Sequence, residues 1–389
     1  MLTALLTGWL LVLVIQLVYI LFIFSRTAFR SAELAATPPA NAPGVTIVVC
    51  ARNEYTNLLD LLPQLDAQVY PLFEVLVMDD RSTDGTQAYL DTEIAHLTHV
   101  RSIRIDTQPA HITPKKYAIT IAIKKANYPT VLLTDADCRP ASDGWLAGMV
   151  ARLASPEKAL VLGFSPYQAA PGLLNLLIRF ETLFTAVQYL SLALAGRPYM
   201  GVGRNLAYRT QLFMANRGFY SHMNVLGGDD DLFVNEVATA TNTTVCLDPD
   251  TFMWSIPKET WADWRTQKRR HLNVGKFYRP GNKVRLGLLV GSHVLSWGLA
   301  GVAGGLVGAK MLAGWPFTPA EWLLLCGASA LFGLRLLLFW GIVGRISYRL
   351  AHTVHWLLMP VMDLVLAVYY GMAGLKTGFT RRQKQYDWR

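Results

Sequence analysis

Apolar residues fall along the chain in three distinct patterns. The first 25 residues carry no charge, a run long enough for a helix rising about 1.5 Å per residue to cross a hydrocarbon layer roughly 30 Å thick. From about 44 to 165 the pattern changes to short runs rich in Val, Ile and Leu: VTIVVC (45–50), FEVLVMD (73–79), VRSIRI (100–105), TVLLTD (130–135) and ALVLGF (159–164). Segments of helical period fill the gaps at 54–66, 84–96, 114–127 and 142–153. This alternation predicts an α/β domain with a mostly parallel sheet between helices. Near the C-terminal end, three longer apolar stretches return at about 286–309, 322–343 and 350–375.

Charge refines this outline. The N-terminal run has no basic residue before it, while Arg26 and Arg30 follow it. That order predicts a membrane anchor rather than a cleaved signal peptide, with the next domain on the cytoplasmic side. The expected product is an integral protein of the inner (cytoplasmic) membrane. The net charge of +9 is concentrated: 265–285 holds eight basic residues and no acid, and 376–389 holds five against Asp387. Both clusters adjoin apolar segments, so they point to a membrane surface or an anionic ligand and away from nucleic acid. The segment 171–194 is apolar but broken by Arg179 and Glu181, and Trp254, Trp261 and Trp264 precede the basic run. Both 171–194 and 254–284 are therefore expected at a membrane interface. Arg335 and Asp363 interrupt the last apolar stretches and are expected to pair or snorkel. Cys50, Cys138, Cys246 and Cys326 are scattered, consistent with reduced thiols and with neither a disulfide framework nor a structural metal site.

Ligands of open α/β sheets bind beyond the carboxyl ends of the strands, and those positions are acidic here. Asn53-Glu54 follows the first run, Asp79-Asp80 ends the second, and Asp135-Ala136-Asp137 follows the fourth. Neither of the two commonest glycine-rich phosphate cradles occurs. An Asp-x-Asp at a strand end offers hard oxygen ligands suited to Mg or Mn carrying substrate phosphates. Lys115 and Lys116 open the preceding helix, where both are expected to face an anion. Asp229, Asp230 and Asp231 follow Gly227-Gly228 at the start of a helical pattern. Capping accounts for one or two of these three acids, whereas a metal, a cation or a base with a raised pKa would account for the full run.

Between about Val45 and Lys276 the motifs resemble, in family order, those of the inverting family 2 glycosyltransferases of GT-A fold. The resemblance is to the membrane-anchored branch that includes cellulose, hyaluronan and chitin synthases. VVCARNE is similar to the opening strand and N-E loop, VMDDRSTDGT to V-D-D-x-S-x-D-x-T, PKKYAI to G-K-x-x-A-L and TDADC to D-x-D. GGDDDLF resembles the catalytic-base motif, QKRRH the Q-x-x-R-W motif, and GVGRNLAYR the strand lining the acceptor side. The resemblance implies that Glu54, Asp79 and Asp80 hold the nucleoside and Lys115 the diphosphate. It implies that Asp135 and Asp137 hold a divalent metal, Mn or Mg, with Asp135 also on the donor side. Gln267 and Arg270 would close the donor site, and Asn205 and His271 would lie on the acceptor side. The base is one carboxylate of Asp229, Asp230 and Asp231: aligning Leu232 selects Asp229, and aligning Gly228 selects Asp230, which is preferred.

The implied domain order is an anchor (1–25), a linker (26–43), a cytoplasmic GT-A domain (44–284), C-terminal membrane helices (285–375) and a basic cytoplasmic tail (376–389). The implied reaction moves a sugar from a nucleotide-sugar, with UDP as the expected nucleotide, to a hydroxyl of a lipid-linked or glycan acceptor. A partner subunit of a polysaccharide pathway is compatible with this. His271 stands where the synthases have Trp, which weighs against the alternative of a processive synthase. A second alternative is a non-catalytic subunit of an export assembly.

Overall fold

The computed structural model describes residues 2–31, 42–352 and 354–379. Most of the expected linker and the basic tail from 380 onward lie outside the described residues. Two compact units result: one built from the N-terminal helix with most of the chain after Arg279, the other from 31–278 with 349–352.

The second unit holds nine strands: β1 (Val45–Ala51), β2 (Phe73–Asp80), β3 (Val100–Ile105), β4 (Thr130–Asp135), β5 (Cys138–Pro140), β6 (Leu160–Leu162), β7 (Leu206–Arg209), β8 (Thr243–Val245) and β9 (Met253–Ser255). Seven of them form one sheet in the order β3-β2-β1-β4-β7-β6-β8, and β5 pairs with β9. β1, β2, β3 and β4 run parallel, linked by helices Tyr55–Asp66, Thr86–Thr92 and Pro114–Lys125. Every residue of β1 and β2 is buried. Burial on both faces of a parallel strand is why these stretches read as unbroken apolar runs.

The sheet departs from the five strands expected. β7 runs antiparallel between β4 and β6, and β8 adds an edge parallel to β6. β5, β8 and β9 are three residues each, too short to leave a periodic signal. The segment expected at a membrane interface is the helix Leu173–Leu194. It buries Ile178, Phe180, Leu183, Phe184, Val187 and Leu190, and the Tyr189 hydroxyl donates to the Gly163 carbonyl at 2.6 Å.

The other unit is helical. Five helices among the described residues are long and apolar enough to cross a membrane: Leu2–Ala28, Leu173–Leu194, Pro280–Leu312, Pro319–Arg349 and Trp356–Gly374. All but the second belong to this unit. Its centre is polar: Arg335 ion-pairs with Asp363, whose Oδ2 also accepts from Trp297 Nε1 at 2.9 Å. Arg335 Nη2 donates to Asp363 Oδ1 at 2.9 Å and to Gln16 Oε1 at 3.2 Å. The two charges therefore pair, joining all four helices, as an apolar environment demands of buried ions.

Candidate active site

Register brings the acidic strand ends together. Ala51 at the end of β1 lies opposite Asp79 of β2, and Cys50 lies opposite Asp135 of β4. The loops that follow β1 and β2 each carry a residue in the left-handed region within their first two positions, Asn53 (φ 58°) and Arg81 (φ 57°). Such a conformation costs energy in a non-glycine residue and must be held by its surroundings. The two loops hold each other. The Asn53 N–H donates to Ser82 Oγ at 2.9 Å, the Thr83 N–H donates to Asn53 Oδ1 at 2.7 Å, and the Ser82 N–H donates to Asp79 Oδ1 at 3.1 Å. Asp80 is buried against Arg81, whose Nε lies 2.8 Å from Oδ1. Asp79 and Asp80 thus build the floor of the cleft, with Asp79 Oδ2 buried and lacking a hydrogen bond.

Lys115 bridges two of the acidic segments. Its Nζ lies 2.8 Å from Asp135 Oδ1 and 3.1 Å from Asp229 Oδ2. Burial disfavours the ammonium, but Asp135, Asp229 and Asp230 reverse that effect and hold its pKa well above the ordinary lysine value. Lys116, expected to face the same anion, does not. It is fully buried, and its Nζ donates to the carbonyls of His222 (2.6 Å) and Val225 (2.7 Å). Adjacent residues on a helix point about 100° apart, so only one of the two reaches the cleft. Desolvation pushes the Lys116 pKa down to about 8.

The three consecutive aspartates have three different environments. Gly227 and Gly228 precede them with φ of +78° and +76°, and a Cβ on Gly228 would lie 2.6 Å from Leu232 Cδ1. Glycine is required there on both counts. Asp229 is buried beside Lys115, and the positive charges of Lys115 and Lys116 overcome burial to lower its pKa. Asp230 Oδ2 accepts from the Gly203 N–H, and Oδ1 accepts from the Asp231 N–H, both at 2.7 Å. It caps the helix Asp231–Val237, and burial with the adjacent Asp229 raises its pKa. Asp231 accepts from the Tyr278 hydroxyl at 2.9 Å; burial and Asp230 raise its pKa well above the ordinary value.

Asp137 feels burial and Asp135 together, and its pKa rises. Burial raises that of Glu54, with Asp137 and Asp135 adding to the effect. The Asn57 side chain donates to Glu54 Oε2 at 2.7 Å. Among the described residues no group of three or more His, Cys, Asp and Glu side chains is arranged to hold a metal ion. Asp135 and Asp137 fit a different kind of site. Both are partly accessible, and their mutual repulsion is a cost that a divalent cation, its coordination completed by substrate phosphates and water, would remove.

Gln267 and Arg270 lie on the helix Trp261–Val274. Gln267 Nε2 donates to the Tyr167 hydroxyl at 3.2 Å, and Arg270 Cγ lies within 3.6 Å of a Cβ built on Gly227. His271 is exposed on the same helix. Asn205 is a brace rather than an open acceptor contact. Its Oδ1 accepts from Trp145 Nε1 at 3.0 Å, and its Nδ2 donates to the carbonyls of Phe164 (2.8 Å) and Thr251 (2.9 Å). Sequence reasoning missed Tyr167, Arg204 and Tyr278, whose placement depends on contacts between distant segments. The four cysteines are free, and burial pushes the Cys50 thiol up to about 12.

A model of Glycosyl transferase family 2 matches residues 46–213, and one of Glycosyl transferase family group 2 matches 130–373, which is more than half of the chain. The chain belongs to glycosyl transferase family group 2. This glycosyltransferase shares its fold with a mannosyltransferase from Pyrobaculum calidifontis, solved with GDP-Man and Mn2+, at 20% identity and a TM-score of 0.57; the match covers 90% of this chain and 99% of the other. TarS residues 1–349 from S. aureus, in complex with UDP-GlcNAc, is similar at 14% identity and a TM-score of 0.43, covering 87% and 93%. A comparison with curated proteins finds no match. The mostly parallel sheet flanked by helices is that of a GT-A fold.

Proposed function

We propose that this glycosyltransferase is a membrane-bound, metal-dependent, inverting enzyme that moves a sugar from a nucleotide-sugar, with UDP as the nucleotide, to a hydroxyl of a lipid-linked or glycan acceptor. The observation that carries this reading is the convergence of Asp79, Asp135, Asp137, Lys115 and Asp229 at the carboxyl ends of β1, β2 and β4. Asp135 and Asp137 would hold Mn or Mg, which when bound supplies Lewis-acid neutralisation of the leaving diphosphate. Lys115 offers a cation to the same phosphates. Asp79, Asp80 and Glu54 line the nucleoside side, and Gln267 and Arg270 border the mouth.

Asp229 is the base in this reading, rather than the Asp230 preferred from the motif. Both Asp230 oxygens are spent on backbone N–H groups, whereas Asp229 is held ionised against a side chain that can leave it for phosphate. In the transfer, the Asp229 carboxylate takes the proton of the acceptor hydroxyl. The acceptor oxygen forms a bond to the anomeric carbon from the face opposite the diphosphate, and the bond from that carbon to the phosphate oxygen breaks. Its electron pair departs with the nucleoside diphosphate. The basic run 265–285 and the apolar helices favour an acceptor delivered at a membrane, with the catalytic unit on the cytoplasmic face of the inner membrane. Release of nucleoside diphosphate by detergent-purified protein, across UDP- and GDP-sugars with Mn or Mg, tests the reading. Metal-dependent release of UDP is the expected result, and pyrophosphate release or metal-independent turnover would overturn it.

A further inference from the structure

We propose that Arg204 is a binding residue for the donor's diphosphate, a second cation beside Lys115 in the charge environment of the acidic pair. Residues 203–205 form a single turn before β7, anchored to the acidic run by the Gly203 N–H on Asp230 Oδ2. From this turn the Arg204 guanidinium reaches over the Tyr167 ring, with Cζ 4.5 Å from the ring centroid. The Tyr167 hydroxyl is in turn held by Gln267, so three distant segments fix one guanidinium in place. The planar cation gains from the ring face without spending its N–H groups. Nη1 is buried and has no hydrogen-bond partner, an expense that a ligand bonding to it would remove.

The charge environment says which ligand fits. Tyr167 and Cys138, and after them Asp137 and Asp135, favour the charged form of Arg204 against burial, while Lys115 contacts Asp135 directly. The two cations together offset the Asp135–Asp137 pair. A divalent ion on that pair would add two positive charges to those of Arg204 and Lys115, which suits the dense negative charge of a diphosphate. A neutral sugar or a nucleoside base gives no reason to bury a guanidinium with a free N–H. The inference rests on the nucleotide-sugar reading above.

The experiment compares binding of UDP and GDP, and of uridine and guanosine, to the full-length protein in detergent with Mn. The variants are Arg204→Gln, Arg204→Lys and Tyr167→Leu, each checked by its melting temperature. Arg204→Gln is expected to weaken nucleoside diphosphate about 10- to 100-fold while leaving the nucleoside within about twofold. Lysine should recover part of the loss, and Tyr167→Leu should reproduce part of it by removing the ring on which the guanidinium rests. Equal loss for nucleoside and diphosphate, or unchanged diphosphate affinity, would overturn the role of Arg204 and leave the function standing. Failure of the unaltered protein to bind any nucleoside diphosphate would overturn both. If Arg204→Gln does not fold, the lysine and Tyr167 variants decide the matter by the same ratio.

Discussion

Strand β2 carries buried carboxylates at both ends, Glu74 at the start and Asp79 with Asp80 at the finish, and Glu74 and Asp79 are treated in opposite ways. At the start, Glu74 accepts from Thr46 Oγ1 (2.7 Å), Arg101 Nε (2.6 Å), and the backbone and side-chain N–H groups of Asn127 (both 2.7 Å). Burial works to raise its pKa, but these donors prevail and lower it. At the far end, Asp79 keeps Oδ2 without a hydrogen bond, and across the cleft Asp231 Oδ1 and Arg204 Nη1 do likewise. A buried polar atom without a partner costs about 1–3 kcal/mol. The start of the strand is satisfied within the fold, while at the far end Asp79 Oδ2 has only the Arg104 guanidinium at 3.9 Å, a partial compensation that a ligand would complete. The helical unit sides with Glu74: Asp363 has both oxygens engaged by the protein.

The comparison is broken most severely by removing the acids that await a ligand. Asp137→Ala should lower turnover by about 10³-fold or more, since metal-ion stabilisation is worth several kcal/mol. Addition of Mn should no longer stimulate release of nucleoside diphosphate, and persistent stimulation would place the metal elsewhere. Asp229→Asn should reduce kcat about 10²- to 10⁴-fold, whereas Asp230→Asn keeps the helix cap and should chiefly cost about 1 kcal/mol of stability through the acceptor lost to the Gly203 N–H. The reverse ranking in steady-state assays would return the base to Asp230.

At the other end of β2, Glu74→Ala should cost about 1–3 kcal/mol of stability, seen as a melting temperature several degrees lower. Affinity for nucleoside diphosphate should be unchanged. A loss of affinity without loss of stability would erase the distinction between the two ends.

The smallest expected effect concerns Lys116. Its folded-state pKa of about 8 lies below the ordinary 10.5, so between those values the unfolded chain binds more protons than the folded one. Stability contributed by this group therefore rises with pH across that window. Melting curves from pH 7.5 to 10 should show the unaltered protein gaining on Lys116→Met. A flat difference would mean that the ammonium stays charged within the fold.

Much of the site was legible because strand ends are legible. β1, β2 and β4 announce themselves as apolar runs, and the acids that follow inherit their position from the rule that ligands bind beyond the carboxyl ends. The three-residue strands were not legible, nor was the role of Asn205, since its amide meets Trp145, Phe164 and Thr251 from three separate stretches of chain. The expectation that Lys115 and Lys116 act together failed on helical geometry alone.

By itself the sequence determined the alternation of strands and helices, the apolar helices and the set of acids available for chemistry, because burial and helical period are local constraints on residue type. The tertiary structure decided which aspartate of three shares Lys115, which lysine of two reaches the cleft, and that Arg204 rests on Tyr167. It also decided that Arg335 meets Asp363. Each of these is a contact across tens of residues or more, and only the register of the sheet and the packing of helices bring such partners within a few ångströms.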